Sequence, residues 1–307
     1  MMGAEAVKKG DLAGQVAIVT GGRGVARATA LALAEAGAAV MVTARSIDEI
    51  EETASVINAA GGRAVACPAD VTDLDAVKNM LAVTEEKLGP PTLLFNVAGG
   101  GVPGSSGKFE TLVPEQIIAS INLNLLSAML LSRLVLPGML ERKQGRIISI
   151  SSGAAMCGMP FLAPYCVSKT AIARFSEVLA LELQGRGVSS FAVTPGNVLT
   201  KLTEGMYPAR HQLIANPPEG FPWKFPAGHA MEDEGWYPPE RAAELCVFLA
   251  SGKADALSGR FFSVHYDEAE MVAQTDRIKR EDLYTLQIPT LDGLEQAHYY
   301  FGTSKKD

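Results

Sequence analysis

Tyr165 and Lys169 lie four residues apart in YCVSK, within a stretch of helical period that runs on through AIARFSEVLALEL. That spacing puts a phenol and an ammonium on one helix face, where the cation favours phenolate over phenol. A tyrosine tuned in this way can exchange a proton with an alcohol or ketone oxygen near neutral pH. An isolated pair of this kind is more often an ordinary surface tyrosine and lysine, so its company decides. Ser151 and Ser152 close the apolar run RIISIS, with Ser152 thirteen residues before Tyr165. The carboxyl ends of parallel strands converge on a ligand crevice, which places this serine pair and Tyr165 in reach of one another.

A second chemical signal is the stretch TGGRGVA, residues 20 to 26, between the apolar run VAIVT and the helical pattern RATALALAEAGA. Glycines at a strand-to-helix turn let backbone N–H groups approach an anion, and the helix dipole favours its negative charge. Gly21, Arg23, Gly24 and Val25 are the candidates for holding a pyrophosphate here. Such turns also serve packing alone, so the motif by itself is weak.

These groups need a scaffold, and the chain supplies one by alternation. VAIVT is followed by helical residues 24 to 37, VMVTA by 46 to 60, and RAVAC by 73 to 87. TLLFNVA is followed by 114 to 141, RIISIS by 163 to 184, and then come SSFAVT and GRFFSV. Strand and helix at this spacing predict an α/β fold of Rossmann type: a doubly wound parallel sheet with helices on both faces. No boundary or repeat interrupts the rhythm, so residues 14 to 266 read as a single domain after a short flexible arm, 1 to 13. Residues 199 to 237, rich in Pro, Gly and aromatics, are too long for an ordinary connection and are expected to form a lid. Residues 267 to 307 read as a helical extension whose narrow apolar stripe is Met271, Ile278 and Leu283.

Composition narrows the function. A net charge of -7 with no basic stripe argues against nucleic acid, whose phosphates are bound by clustered Lys and Arg. The most apolar stretch, LNLLSAMLLSRLVLPGML, is interrupted by Arg133 and Pro137 before a membrane-spanning length, and the N-terminus lacks a signal-peptide core. Cys67, Cys157, Cys166 and Cys246 are widely spaced, without a metal-ligand pattern, and are expected to be reduced core thiols. The expectation is a cytoplasmic protein with no metal, no membrane and no nucleic-acid partner.

Taken in order and spacing, TGGRGVA, Asp70-Val71 in ADVTD, Asn96-Val97-Ala98-Gly99, Asn124 in LNL, Ser152, YCVSK and Pro195-Gly196 resemble the short-chain dehydrogenase/reductase family. The resemblance spans roughly residues 14 to 264. It implies that Tyr165 is general acid in reduction and base in oxidation, while Lys169 lowers its pKa and holds the nicotinamide ribose. It implies that Ser152 hydrogen-bonds the substrate oxygen and that Asn124 holds a water relaying protons to Lys169; Asn122 competes for that role. Asp70 and Val71 would lie by the adenine, Asn96, Ala98 and Gly99 along the adenosine side, and Pro195, Gly196, Val198 and Thr200 by the nicotinamide. A homo-oligomer, tetramer or dimer, is also implied.

The cofactor can be argued from charge. After the second strand the chain reads Thr43-Ala44-Arg45-Ser46, where users of NAD present a carboxylate to the ribose. Ala44 does not repel a 2′-phosphate, Arg45 can fork onto it, and Arg23 could approach the same group. NADP(H) is the expectation; the competing one is that Arg45 only caps a helix or pairs with Asp48 or Glu49. The expected activity is interconversion of a ketone and a secondary alcohol on a bulky apolar substrate. A 3-oxoacyl-(acyl carrier protein) reductase and a non-catalytic nucleotide-binding protein are the alternatives.

Four features depart from the family pattern. The glycine loop is one residue short and carries Ala26 for its third glycine, Val97 replaces an Asn, Phe191 stands where an Asn is common, and Val264-His265-Tyr266-Asp267 lacks a usual glycine pair. His265, like His211, His229 and His298, reads as an ordinary surface or lid residue.

Overall fold

The structure, a computed structural model, describes residue 8, residues 10–198 and residues 236–287. Seven parallel strands form one sheet in the order β3, β2, β1, β4, β5, β6, β9. They are β1 (Val16–Thr20), β2 (Ala39–Thr43), β3 (Arg63–Ala66), β4 (Leu93–Asn96), β5 (Gly145–Ile150), β6 (Val188–Thr194) and β9 (Phe261–Ser263). Two short strands, β7 (Asn197–Val198) and β8 (Trp236–Tyr237), pair with each other in parallel. The order reverses at β1, so the crevice opens beyond the carboxyl ends of β1 and β4.

Both faces of the sheet are covered, as an all-parallel sheet requires. On one face α1 (Val25–Glu35), α2 (Ile47–Ala59) and α7 (Pro239–Ala250) pack over Ala17, Val19, Val40, Val42, Leu93 and Phe95. On the other, α3 (Leu74–Lys87), α5 (Ser127–Arg142) and α6 (Ala163–Glu182) pack over Val16, Ile18, Met41, Leu94 and Ile147. Alternation along each strand sends neighbouring residues to opposite layers. Phe95 therefore faces α1 and α7, while Asn96 faces α5.

The helical segment predicted over 114 to 141 is not one regular helix. α4 (Pro114–Ile121) passes through a π-helical turn, Asn122–Leu126, into α5. The whole span Pro114–Arg142 is long and apolar enough to cross a membrane by composition, yet Leu131, Val135 and Met139 on its inner side are buried against the sheet.

Both ends of the predicted domain are tied into the body. Gly10 and Leu12 donate to the Ala36 carbonyl at 3.0 and 2.9 Å, and Leu12 is fully buried, so the folded unit begins before residue 14. The C-terminal helix breaks at Gln274 into α8 (Glu268–Ala273), capped by Asp267 Oδ1 on the Glu270 N–H at 2.9 Å, and α9 (Thr275–Arg280). Met271 and Ile278 of the expected stripe are buried in the main core, and Leu283 packs on it. The Tyr284 carbonyl accepts from the Phe261 N–H at 2.9 Å, on the outer edge of the sheet. Residues 199–235, most of the expected lid, lie outside the described residues, as do 288–307.

Candidate active site

The site assembles where β1, β4, β5 and β6 end. Thr20, last in β1, accepts from the Val97 and Ala98 N–H groups, both at 3.0 Å, and donates to the Phe95 carbonyl at 3.3 Å. One hydroxyl thus holds the loop after β4 against the loop after β1. Sequence reasoning missed this role, because the partners lie some eighty positions away and no local pattern marks them.

In the glycine loop, Gly21 has φ +113° and its Cα faces Ala26, where an added Cβ would stand 2.8 Å from the alanine Cβ. Ala26 thus supplies the close helix-to-strand contact expected of a third glycine. Gly24, at φ 52°, is the N-cap of α1; no side chain caps the first turn and it carries no carboxylate. Its N–H groups and dipole are therefore directed at the crevice. Arg23 forms an ion pair with Glu49 of α2, a partner 26 positions on, instead of reaching openly toward a ribose phosphate. Glu49 is thereby occupied, and Arg45 has no ion pair with Asp48 or Glu49; it stands exposed beside Asp70. Burial raises the Asp70 pKa, but hydrogen bonds from the Thr72 hydroxyl and N–H, at 2.7 and 2.9 Å, and the Arg45 charge together bring it below the ordinary value. Ser46 opens α2 without a side-chain cap, and Val71 is buried.

Asn96 departs from its expected place. Its Nδ2 donates to Ser149 and Ser132 Oγ at 3.1 and 3.3 Å inside the α5 layer, so the side chain is a buried tie and only its backbone faces the crevice. Gly99, by contrast, lies at the centre. Its Cα faces Asn124 and Lys169, and an added Cβ would meet Asn124 Oδ1 at 2.9 Å and Lys169 Nζ at 3.1 Å.

Asn124 sits in the π-helical turn, buried, with its amide held by backbone on three sides. Oδ1 accepts from the Gly100 N–H at 2.7 Å, while Nδ2 donates to the Gly100 and Ser120 carbonyls at 2.9 and 3.1 Å. The side chain is therefore a clamp on the loop after β4, and a relay water would have to use its backbone carbonyl. Asn122 takes no such position; its carbonyl accepts the Ser127 N–H that closes the π turn.

Ser152 follows β5, its oxygen accepting from the Ala154 N–H at 3.2 Å, and it stands beside the Tyr165 phenol. Ser151 Oγ donates to the Lys169 carbonyl at 2.8 Å and so fixes α6 against the strand end. Lys169 is buried, its Nζ donating to the Ile150 carbonyl at 2.9 Å and lying 5.7 Å from the Tyr165 ring centroid. Burial lowers its pKa to about 8. The Tyr165 phenol moves the other way: burial raises its pKa, the Ser152 hydrogen bond opposes the rise, and Cys166 adds to it. The Lys169 ammonium donates to the Ile150 carbonyl rather than to the phenol. Cys157, expected in the core, is exposed on the segment between Ser152 and Tyr165.

Pro195, Gly196 and Val198 follow β6. Gly196 has φ +71°, and an added Cβ would lie 2.7 Å from Val264 Cγ2 and 2.9 Å from the Tyr237 ring. Thr200 lies outside the described residues. His265 is exposed, as expected, and its Nδ1 is 3.0 Å from the Tyr237 hydroxyl.

The family profile described as short chain dehydrogenase matches residues 15–211. The chain belongs to that family. A short chain dehydrogenase of Pseudocercospora fijiensis is 33% identical over 306 residues, covering 92% of each chain. A 3-oxoacyl-[acyl-carrier-protein] reductase of Synechocystis is 38% identical over 197 residues, 64% of this chain and 78% of the other. Among solved structures, a variant of actinorhodin polyketide ketoreductase with NADPH superposes with a TM-score of 0.72 at 28% identity, covering 83% of this chain and 97% of that one. The protein is thus an oxidoreductase of the short chain dehydrogenase family, related to ketoreductases.

Proposed function

We propose that the protein is an NADP(H)-dependent carbonyl reductase, interconverting a ketone and a secondary alcohol, with Tyr165 as the acid and base. The observation that carries this reading is the buried Lys169 Nζ lying 5.7 Å from the Tyr165 ring, with Ser152 at the end of β5 beside the same phenol. The residues fit the cofactor. The uncapped first turn of α1 suits a pyrophosphate, the bare Gly99 Cα lets Asn124 and Lys169 close up against the loop after β4, and the end of β2 offers Arg45 with no carboxylate at Ala44. NADP(H), when bound, supplies or takes up the hydride.

The chain's own residues orient the oxygen and move the proton. Ser152 and Tyr165 donate to the substrate oxygen, holding the carbonyl carbon toward the nicotinamide side, where Pro195, Gly196 and Val198 follow β6. As negative charge grows on that oxygen, the phenol proton passes to it. The raised phenol pKa keeps this proton in place at neutral pH, which favours reduction. Lys169, held by the Ile150 carbonyl, would steady the ribose, and a proton from solvent passed by way of Lys169 would restore the phenol after each turnover. Gly21, Gly24, Val25, Ser46, Asp70, Val71 and Ala98 line the path of the rest of the cofactor.

NADPH oxidation measured with a panel of ketones and one 3-oxoacyl thioester tests the reading. Wild type should turn over at least one ketone, and Tyr165→Phe should lose nearly all of that rate. Equal rates in the two proteins refute the assignment, and failure to bind NADPH in a calorimetric titration favours a non-catalytic role. The exposed apolar side chains Leu126, Met129 and Leu130, with Val167, Val178 and Leu181 on α6, support a homo-oligomer. Light scattering reads its mass.

A further inference from the structure

The segment after β6 is secured by contacts from β8 and from the chain beyond β9. Gly196 turns the chain in a left-handed conformation, and β7 then meets β8 through only two residue pairs, Asn197 with Trp236 and Val198 with Tyr237. A ladder that short is not self-sustaining. The Tyr237 ring lies against the Gly196 Cα, so closely that no Cβ would fit there, and its hydroxyl is 3.0 Å from His265 Nδ1. The two rings meet edge to face at 5.0 Å. His265 is itself fixed, its N–H donating to Ser263 Oγ at 3.2 Å at the end of β9. Just beyond Tyr237, Arg241 of α7 takes both oxygens of Glu268 of α8 at 2.7 and 2.9 Å. Tyr237 is therefore gripped from both directions along the chain.

We propose that Tyr237 and His265 are positioning residues that hold Pro195–Val198 at the distance the nicotinamide end of the cofactor requires. The inference rests on the reading of that segment as the nicotinamide side. His265 occupies the stretch where the family's glycine pair is missing, so the bond replaces a flexible closing turn with a fixed one. In either tautomer the pair is satisfied: Nδ1 accepts the phenol proton, or Nδ1–H donates to the phenol oxygen. Neither residue donates a proton to substrate. Their effect is to spare the segment an ordering cost when cofactor binds.

The test is NADPH affinity, by fluorescence titration, together with steady-state kinetics. Tyr237→Phe keeps the ring against Gly196 and removes only the hydroxyl. Tyr237→Phe and His265→Ala should each weaken NADPH binding about three- to tenfold, with kcat at saturating NADPH changed less than about twofold. The double variant should be no worse than the weaker single one, since both remove one bond. His265→Asn, whose amide can reach the Nδ1 position, should recover most of the affinity. Unchanged affinity in both single variants, multiplying effects in the double variant, or a loss confined to kcat would overturn the proposal. Melting temperatures within a few degrees of wild type exclude general unfolding as the cause. Tyr165→Phe measured beside them separates the two claims: full turnover there refutes the catalytic reading, while the affinity series still judges the pair. Wild type that does not bind NADPH overturns both.

Discussion

Lys169 Nζ lies 5.7 Å from the Tyr165 ring centroid and donates to the Ile150 carbonyl at 2.9 Å, buried among groups that do not neutralise it. Its pKa falls from 10.5 to about 8 for that reason. Below pH 8 the folded and unfolded chains both hold the proton, and the fold bears the full cost of a buried ammonium. Between about 8 and 10.5 only the unfolded chain keeps it, so stability rises with pH through this window. The cost is roughly 3 kcal/mol, less about 1 for the bond to Ile150. Lys169→Met should therefore stabilise the protein by roughly 2 kcal/mol at pH 7 while abolishing activity, and the gain should vanish near pH 10.5. Urea melts at the two pH values check this; a gain independent of pH is the contrary result.

The phenol of Tyr165 shifts the other way, and on the proposed reading it governs rate. With its pKa raised by burial, the proton is in place through neutral pH, so reduction should be flat there and decline only in strong alkali. Oxidation needs phenolate and should climb steadily with pH. Ser152→Ala removes the hydrogen bond that lowers this pKa, which moves the oxidation limb to higher pH and cuts kcat about 10²-fold. A pH–rate profile in both directions measures each shift.

Much of this was readable before any coordinates. The parallel sheet and its alternating helices follow from apolar runs spaced for crossovers, and Ser152, Tyr165 and Lys169 stand at positions that short-range spacing defines. What was not readable depends on long-range pairing or on the face of a strand. Asn96 ends a strand buried on both sides, so polarity could not tell crevice from interior; its bonds to Ser132 and Ser149 show that it faces α5. Arg23 meets Glu49, and Tyr237 meets His265, across separations with no local signature. The π turn at Asn124 leaves the helical pattern of apolar residues nearly intact, so periodicity alone read 114 to 141 as continuous.

Arg45 is the guanidinium left open at the ribose corner, since Arg23 is held by Glu49. Arg45→Ala should weaken NADPH binding about tenfold and leave NADH binding almost unchanged. Glu49→Gln should release Arg23 and tighten NADPH two- to threefold, by roughly the strength of an exposed ion pair. Paired calorimetric titrations with the two cofactors decide it; NADH preference that survives Arg45→Ala counts against NADP(H).

At Gly99 an added methyl would be wedged between Asn124 Oδ1 and Lys169 Nζ, at 2.9 and 3.1 Å. Both polar groups would have to shift by a few tenths of an ångström, and placement at this scale matters to transfer chemistry. Gly99→Ala should lower kcat by about tenfold or more with little change in melting temperature, because the residue itself is exposed. Wild-type kcat in this variant would mean that the Asn124–Lys169 spacing is not what sets the rate.

The extension after β9 is part of the core and should reveal itself in stability before kinetics. Met271 and Ile278 are buried among α1, α7 and β9 residues, and the Tyr284 carbonyl satisfies the Phe261 N–H on the sheet's edge. Met271→Ala and Ile278→Ala should each cost about 2–4 kcal/mol by urea melts. Truncation after Asp267 removes both side chains and leaves the β9 edge bare, an invitation to pairing between molecules. That variant should aggregate at temperatures where wild type is soluble, whereas Glu268→Gln, which weakens only the bond to Arg241, should lose about 1 kcal/mol and stay monodisperse. Equal melting curves for the truncated and full-length chains would show that the extension lies on the surface and bears no load.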